Sequence, residues 1–241
     1  MPFTLFSLAE AADYLHIGPD ALEDLARRGD IPCEHQGKRL MFRHKDIDEW
    51  ASRRLLGLPD DGLRDFHHRT LSTVRDLSPD AAIIPSLIQP AWIRLGLTCR
   101  SKPALLSEMA ALADATALVS DPADLLASLD EREKLCSTAL PGGFALLHPR
   151  NHEPYMFLDS FIAVARSVGR IHFGAPDGEP TNIFFLICCQ DDRIHLHVLA
   201  RLCMMCHHTA LLDALRDAAT PADFHDALVD AEAQILRQTP S

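Results

Sequence analysis

Imidazoles, thiols and one flanked guanidinium are the groups in this sequence whose spacing suggests chemistry. His148 closes the apolar run Phe144 to Leu147 and is followed by Pro149 and Arg150. A histidine beside apolar residues is ordinarily a satisfied core side chain, but a neutral imidazole is also a nucleophile near neutral pH. Arg132 stands between Glu131 and Glu133. The commoner fate of such a residue is a surface ion pair; the rarer one is a planar fork of donors for an oxyanion. His195 and His197 lie two residues apart, and either suits the start of a helix. Cys203-Met204-Met205-Cys206-His207 reproduces the haem-attachment spacing. Both thiols, however, fall in a helical apolar stripe through Leu199, Leu202, Met205 and Leu212, which assigns them to the core. Asp60-Asp61 and Asp191-Asp192 read as solvated turns. No metal or cofactor is expected.

The elements that must position these groups come from ordinary globular composition. Of 241 residues, 47% are hydrophobic and 24% charged, enough for two modest domains with proper cores. No run approaches the roughly 20 apolar residues that span a bilayer, and Met1-Pro2-Phe3-Thr4 lacks a basic leader region. A cytoplasmic location with no membrane association is therefore expected. Seven cysteines, mostly inside apolar runs, predict reduced thiols. The net charge of -11 disfavours general adhesion to nucleic acid and suits protein partners. Gly57 to Gly62 and Asp76 to Asp80 are turn-like breaks, with a possible short helix from Leu63 to Val74 between them. They divide the chain into a head (residues 1–56), a linker (57–82) and a larger domain (83–241).

In the head, Ser7-Leu8-Ala9-Glu10 has the form of a capping box, so a helix starts at Ser7. Pro19 opens a second helix that buries Leu22, Leu25 and Ala26, and Gly29 closes it. Pro32 to Gln36 and Arg39 to Arg43 form a hairpin about Gly37-Lys38, and Ile47 with Trp50 marks a third helix. The result is a small winged helix-turn-helix. Ser7, Ala9, Glu10, Ala11, Ala12 and Leu15, then Gly29, Ile31, Pro32, Gly37, Arg39, Phe42, Asp46, Ile47 and Trp50, resemble the excisionase and MerR-like DNA-binding domains. The resemblance implies that the second helix enters the major groove and that the wing grips phosphate. Arg27, Arg28, Lys38, Arg39 and Arg43 are then the DNA-binding candidates. Against them, the head carries eight basic and ten acidic side chains, and the recognition helix holds Asp20, Glu23 and Asp24. A winged module used only for protein contact is the alternative.

Beyond residue 83, helices alternate with apolar strands: helices over Pro103 to Leu112 and Asp121 to Leu129, and strands over Phe144 to Leu147, Phe161 to Ala165 and Ile183 to Cys189. One long helix is expected over residues 195–217, and Thr220-Pro221-Ala222-Asp223 caps a last one reaching Leu236. Such alternation predicts an α/β sandwich with a mixed sheet.

Three groups of residues in this half resemble the phosphotransferase-system enzyme IIA domains of the fructose, mannitol and nitrogen-regulatory class. The first is Arg132, Glu133, Ser137, Thr138, Gly143, Ala145, His148 and Arg150; Leu147 stands where that pattern has proline. The second runs from Ile171 and Phe173-Gly174-Ala175-Pro176-Asp177-Gly178 to Phe184-Phe185-Leu186, and the third comprises His195, Leu196, Leu199, Ala200, Arg201 and Leu202. The resemblance implies that His148 accepts a phosphoryl group from an HPr-like phosphocarrier, Arg132 binds its oxygens and His195 adds a hydrogen bond. Backbone amides at Gly142 and Gly143 are further candidate donors, and the end of the 144–147 strand is expected to expose His148 at a sheet edge.

The whole chain then reads as a transcription regulator, with a homodimer as one arrangement open to it, whose phosphorylation alters DNA or partner binding by the head. A non-catalytic interaction protein, or a sugar phosphocarrier, are the alternatives.

Overall fold

The computed structural model describes residues 5–15, 17–37, 39–56, 82–150, 155–190 and 192–238, in two compact units that divide between residues 79 and 80. Lys38, Asp60-Asp61, Asp191 and the expected 63–74 helix lie outside the described residues.

The first unit opens with β1 (Leu5–Ser7) and α1 (Leu8–Tyr14). Ser7 caps α1 as its sequence requires: the Ser7 hydroxyl accepts from Glu10 N at 3.4 Å, and the Glu10 carboxylate accepts from Ser7 N at 2.8 Å. Those bonds hold the Glu10 carboxyl below its ordinary range. α2 (Pro19–Arg28) starts on proline and stops at Gly29, whose φ of 76° is the left-handed cap that glycine supplies most readily. β2 (Glu34–Gln36) and β3 (Arg39–Arg43) form the antiparallel wing, and α3 (His44–Leu56) follows directly. The expected hairpin therefore gains a third strand, giving the order β1-β3-β2. Ala11, Leu15, Leu22, Ile31, Phe42 and Ile47 fill the core, and Tyr14 ties α1 to α3 by donating to Asp48 at 2.9 Å.

In the second unit, single 3-10 turns at Pro85–Leu87 and Pro90–Trp92 lead into β4 (Ile93–Leu97). α4 (Lys102–Asp114) and α5 (Pro122–Leu135) follow, each with a side-chain cap, from Ser101 and Asp121 respectively. β5 (Ala139–Leu140), β6 (Phe144–Leu147), β7 (Phe161–Ile171) and β8 (Thr181–Cys188) complete a sheet of order β4-β7-β8-β6-β5. β4 with β7 and β6 with β8 are parallel, while β7 with β8 and β5 with β6 are antiparallel. The mixed sheet of the sequence reading is present.

One face of the sheet, through Ala145, Leu147, Phe161, Ala163, Phe184 and Leu186, packs on α4 and α5 in a single apolar cluster. On the other face lie α6 (Asp192–His208), α7 (Leu211–Asp217) and α8 (Pro221–Gln238), with Phe144 edge-on to His207. The single helix expected over 195–217 is instead two, bent by 83°. Thr209 causes the break: its hydroxyl donates to Met205 O at 2.7 Å and accepts from Leu211 N at 3.1 Å, replacing ladder bonds. Among the described residues no single helix is long and apolar enough to cross a membrane.

Candidate functional site

The site forms where the carboxyl ends of the parallel strands β6 and β8 meet the first turn of α6. His148 follows the last residue of β6, and His195 lies in the first turn of α6, only a few residues beyond β8. Arg132 comes from the last turn of α5. The three side chains expected to act together are brought together. Arg132 Nε donates to His148 Nε2 at 3.0 Å, and the His148 and His195 rings stand 4.9 Å apart between centroids, tilted by 52°. His197 is buried as well, two residues along the same helix, but the ring facing His148 is that of His195.

The hydrogen bonds fix which imidazole nitrogen carries the proton. His148 Nδ1 lies 2.9 Å from the Leu146 carbonyl, an acceptor only, so Nδ1 holds the hydrogen. Nε2 faces the guanidinium, a donor only, so Nε2 holds the lone pair. This tautomer is assigned from its partners.

Arg132 is held from its other side by Cys136: Nη1 donates to the Cys136 carbonyl at 3.0 Å and lies 3.3 Å from its Sγ. Nη2 is buried and has no hydrogen-bond partner among the described residues. The guanidinium is planar and Nη2 is the tine beside Nε, so its N–H runs alongside the one that meets His148. Behind this arrangement Glu133 fixes the turn. It accepts from Thr138 N at 3.0 Å and from the Thr138 hydroxyl, and it pairs with Lys102 at 2.9 Å. The sequence offers Glu133 only as a surface ion-pair partner for Arg132, gives Ser137 and Thr138 no physical role and does not single out Cys136, whose signal is its i, i+4 spacing from Arg132.

Two expectations are corrected. His148 is not exposed at a sheet edge: β5 pairs beyond β6 and makes β6 interior, and His148, Arg132 and His195 are 2%, 2% and 0% exposed. Nor do Gly142 and Gly143 face the imidazole. They form the turn at the opposite end of β6, roughly 15 Å away at about 3.3 Å per residue. There Gly142 N donates to Asp177 at 3.1 Å and the Gly142 carbonyl accepts from Arg216.

The thiols of the Cys-Met-Met-Cys-His run are buried, and burial pushes Cys203 up to about 12 and Cys206 well above its ordinary value. Thiols held protonated in a core are the opposite of metal or haem ligands. Elsewhere in this unit, Arg201 of α6 and Glu232 of α8 form a fully buried ion pair at 2.8 Å. Glu232 also accepts from Ile83 N and Ile84 N, each at 3.1 Å, and so fastens the start of the domain. Desolvation raises the Glu232 carboxyl and lowers Arg201 despite their pairing.

In the head, three of the five candidate DNA contacts are committed to carboxylates. Arg27 pairs with Glu23 at 3.1 Å and Asp24 at 3.0 Å, Arg28 lies 3.9 Å from Asp30, and Arg43 pairs with Glu34. Arg39 stands exposed at the start of β3.

These two units define a chain that joins a helix-turn-helix head to an α/β domain with a histidine–arginine pair at the ends of parallel strands. Residues 86–231 match the model of the phosphoenolpyruvate-dependent sugar phosphotransferase system EIIA 2 family, and the chain belongs to that family. Residues 5–55 match a helix-turn-helix domain model. The fructose-specific EIIABC component of the phosphotransferase system of Bacillus subtilis (strain 168) is 24% identical over 149 residues, 61% of this chain. The chain spans only 22% of that relative's length. Among solved structures, nitrogen regulatory protein IIA-Ntr of Neisseria meningitidis is 26% identical with a TM-score of 0.56, over 61% of this chain and 99% of that one. Enzyme IIA mannitol of Escherichia coli, solved in complex with phosphorylated enzyme IIB mannitol, is 16% identical with a TM-score of 0.53, over 59% and 97%, a likeness of fold.

Proposed function

We propose that this chain is a cytoplasmic regulator in which His148 Nε2 accepts a phosphoryl group from an HPr-like phosphocarrier, and in which phosphorylation sets how the head binds DNA or a protein partner. The observation that carries this reading is the Arg132 fork. One tine occupies the lone pair of Nε2 and the parallel tine, Nη2, is buried with no acceptor among the described residues. A buried donor left unsatisfied is costly, and three phosphoryl oxygens on Nε2 would supply what it lacks.

In the transfer, the P–N bond to the donor histidine breaks as a P–N bond to Nε2 forms, while Nδ1 keeps its proton on the Leu146 carbonyl. Such displacement needs alignment and charge stabilisation more than covalent help. Arg132 supplies the charge, and His195 stands close enough to His148 to add a donor. Because Nε2 is buried and hydrogen-bonded, acceptance is coupled to a rearrangement in which Arg132 gives up the lone pair and takes the oxygens instead. The pairing of an enzyme IIA with a phosphorylated enzyme IIB in the mannitol structure suits a domain that docks on phosphorylated proteins.

For the head, DNA contact through Arg27, Arg28, Lys38, Arg39 and Arg43, with a homodimer on a two-fold site and residues 57–82 as linker, is the leading arrangement. Protein contact is the second reading, favoured by the carboxylates already bound to Arg27, Arg28 and Arg43. Incubation with enzyme I, an HPr-type carrier and radiolabelled phosphoenolpyruvate tests the first claim. The chain should take up label and His148→Ala should not; label that survives His148→Ala sinks the assignment.

A further inference from the structure

The short segment that carries His148 is fastened to one face of α5. Ser128, Glu131 and Arg132 follow the i, i+3, i+4 spacing on that helix, so their side chains line one side of a single turn. Arg132 Nε donates to His148 Nε2 at 3.0 Å, the Ser128 hydroxyl accepts from Arg150 N at 3.0 Å, and the Glu131 carboxylate accepts from Arg150 Nη1 at 3.4 Å. The first of these bonds is buried. The ion pair stands in water, with the Glu131 side chain 57% exposed and that of Arg150 29%. Between the two anchored residues, Pro149 fixes one backbone dihedral, so His148 and Arg150 are stiffly joined.

We propose that Arg150, held by Ser128 and Glu131, is a latch on the site: a phosphorylated carrier reaches His148 Nε2 only after residues 148–150 part from this face of α5. The inference rests on the phosphoryl-acceptor reading above and names a control of that site. In the closed geometry the Nε2 lone pair is engaged by Arg132, and both side chains are 2% exposed, so no phosphorus atom can approach. Parting the segment from α5 breaks that bond and frees imidazole and guanidinium together, which is the exchange that acceptance requires. The Arg150 bonds oppose the movement. Each is weak, because water can replace the serine hydroxyl and solvent screens the ion pair. Opening is therefore a reversible local step rather than an unfolding of the domain.

Other ion pairs of this unit are built differently. Arg201 and Glu232 also tie separate elements, but both side chains are fully buried, and parting them strands charge in the core. Asp130 and Lys134 form an exposed pair on α5 that joins two residues of the helix itself. That pair is the control for the latch.

Diethyl pyrocarbonate, which acylates an imidazole through a free nitrogen lone pair, reads the opening without any phosphoryl transfer. The full chain is treated briefly, and peptide mass spectrometry gives the rate at His148 relative to the exposed His172. With opening as a rapid pre-equilibrium, a change in its constant appears directly in that rate. Glu131→Gln should raise it about twofold to fivefold, Ser128→Ala about twofold to tenfold, and Asp130→Asn should leave it as in the parent. Raising salt to about 0.5 M should speed the parent and not Glu131→Gln, whose pair is already gone. Labelling by a limiting amount of phosphorylated carrier should rise in the same order. Three results overturn the proposal: latch variants that acylate no faster than the parent, Asp130→Asn matching them, or latch variants of a labelling-competent chain that acylate faster yet label no faster. If His148 acylates faster in the variants of a chain that never takes up label, the latch stands and the phosphoryl reading fails.

Discussion

Replacing Arg132 separates a functional guanidinium from a structural one. In the closed site Arg132 makes one bond to His148 Nε2 at 3.0 Å and one to the Cys136 carbonyl at 3.0 Å, and leaves Nη2 without an acceptor among the described residues. For stability these terms nearly cancel. Two hydrogen bonds to neutral acceptors contribute about 1–3 kcal/mol together, while a buried, incompletely satisfied cation costs an amount of the same order or more. Arg132→Met should therefore change the unfolding free energy by no more than about 1–2 kcal/mol in either direction. For phosphoryl transfer nothing cancels. Removing one preorganised donor from developing oxyanion charge typically costs about 10²–10³ in rate, or about 2.7–4 kcal/mol. Arg132→Lys keeps a point charge but not the fork, and should fall about 10² in labelling rate; Arg132→Met should fall beyond about 10³. Rates come from rapid-quench labelling by the phosphorylated carrier. Stability comes from urea unfolding followed by Trp92, which packs on Phe161 in the second unit, with Trp50 of the head replaced by phenylalanine. A Met variant that labels within tenfold of the parent, or one that loses several kcal/mol while transferring normally, would show that the guanidinium is a strut and refute the reasoning.

Four further outcomes follow from the same packing. Glu232→Ala removes the carboxylate that pairs with buried Arg201 and accepts from the amides of Ile83 and Ile84, so it should cost about 3–5 kcal/mol in urea; Arg201→Met with Glu232→Gln should recover part of that loss, and additive costs would count against a coupled pair. Because the Glu232 carboxyl is raised in the folded state, its contribution to stability is full below the ordinary glutamate range and is lost as pH rises through the raised value; Glu232→Gln should flatten that segment of the stability–pH curve. Gly143→Ala forces a left-handed φ of 79° and a Cβ 3.2 Å from the Pro180 carbonyl, and should lower stability by about 1–3 kcal/mol by calorimetry. If only Arg39 and Lys38 of each head are available to phosphate, log affinity for DNA should fall with log salt at a slope of about -2 per head; a slope steeper than about -4 would mean that Arg27, Arg28 and Arg43 leave their carboxylates.

What could be read from the residues was what local chemistry dictates. Ser7 with Glu10, Asp121 before Pro122, and Thr220 with Asp223 each carry their cap within four residues, and each cap forms. The convergence of Arg132, His148 and His195 was legible only through ordered motifs in the resemblance, since 63 residues separate the first from the last. Features that depend on what lies beside an element were not legible. β1 and β5 have three and two residues, too few to show a period, yet β5 is what makes β6 interior and buries His148. β7 continues to Ile171, past the apolar run that marked it and across an irregularity after Arg166, because Ile171 pairs again with Thr181 of β8. The break between α6 and α7 was hidden because the apolar stripe runs through it, while the Thr209 hydroxyl takes over the backbone bonds.

The closed geometry bears on how such a site can signal. A phosphoryl group carries about two negative charges, and a dry pocket tolerates them only if cationic or dipolar donors meet them directly. The described groups at hand are Arg132, already bonded to Nε2, and the His195 ring beside it. If His148 accepts a phosphoryl group as proposed, the guanidinium has two engagements, imidazole nitrogen or phosphoryl oxygen, the kind of discrete two-state element that coupling requires. Its remaining bonds run to Cys136, at the turn that Glu133 and Thr138 hold rigid. On that reading a shift of Arg132 is resisted on one side and rewarded on the other, and the two states would differ in packing around one residue rather than by a graded adjustment. Each tenfold bias in the head's binding asks about 1.4 kcal/mol of that difference, an amount that a single charge-assisted hydrogen bond can supply.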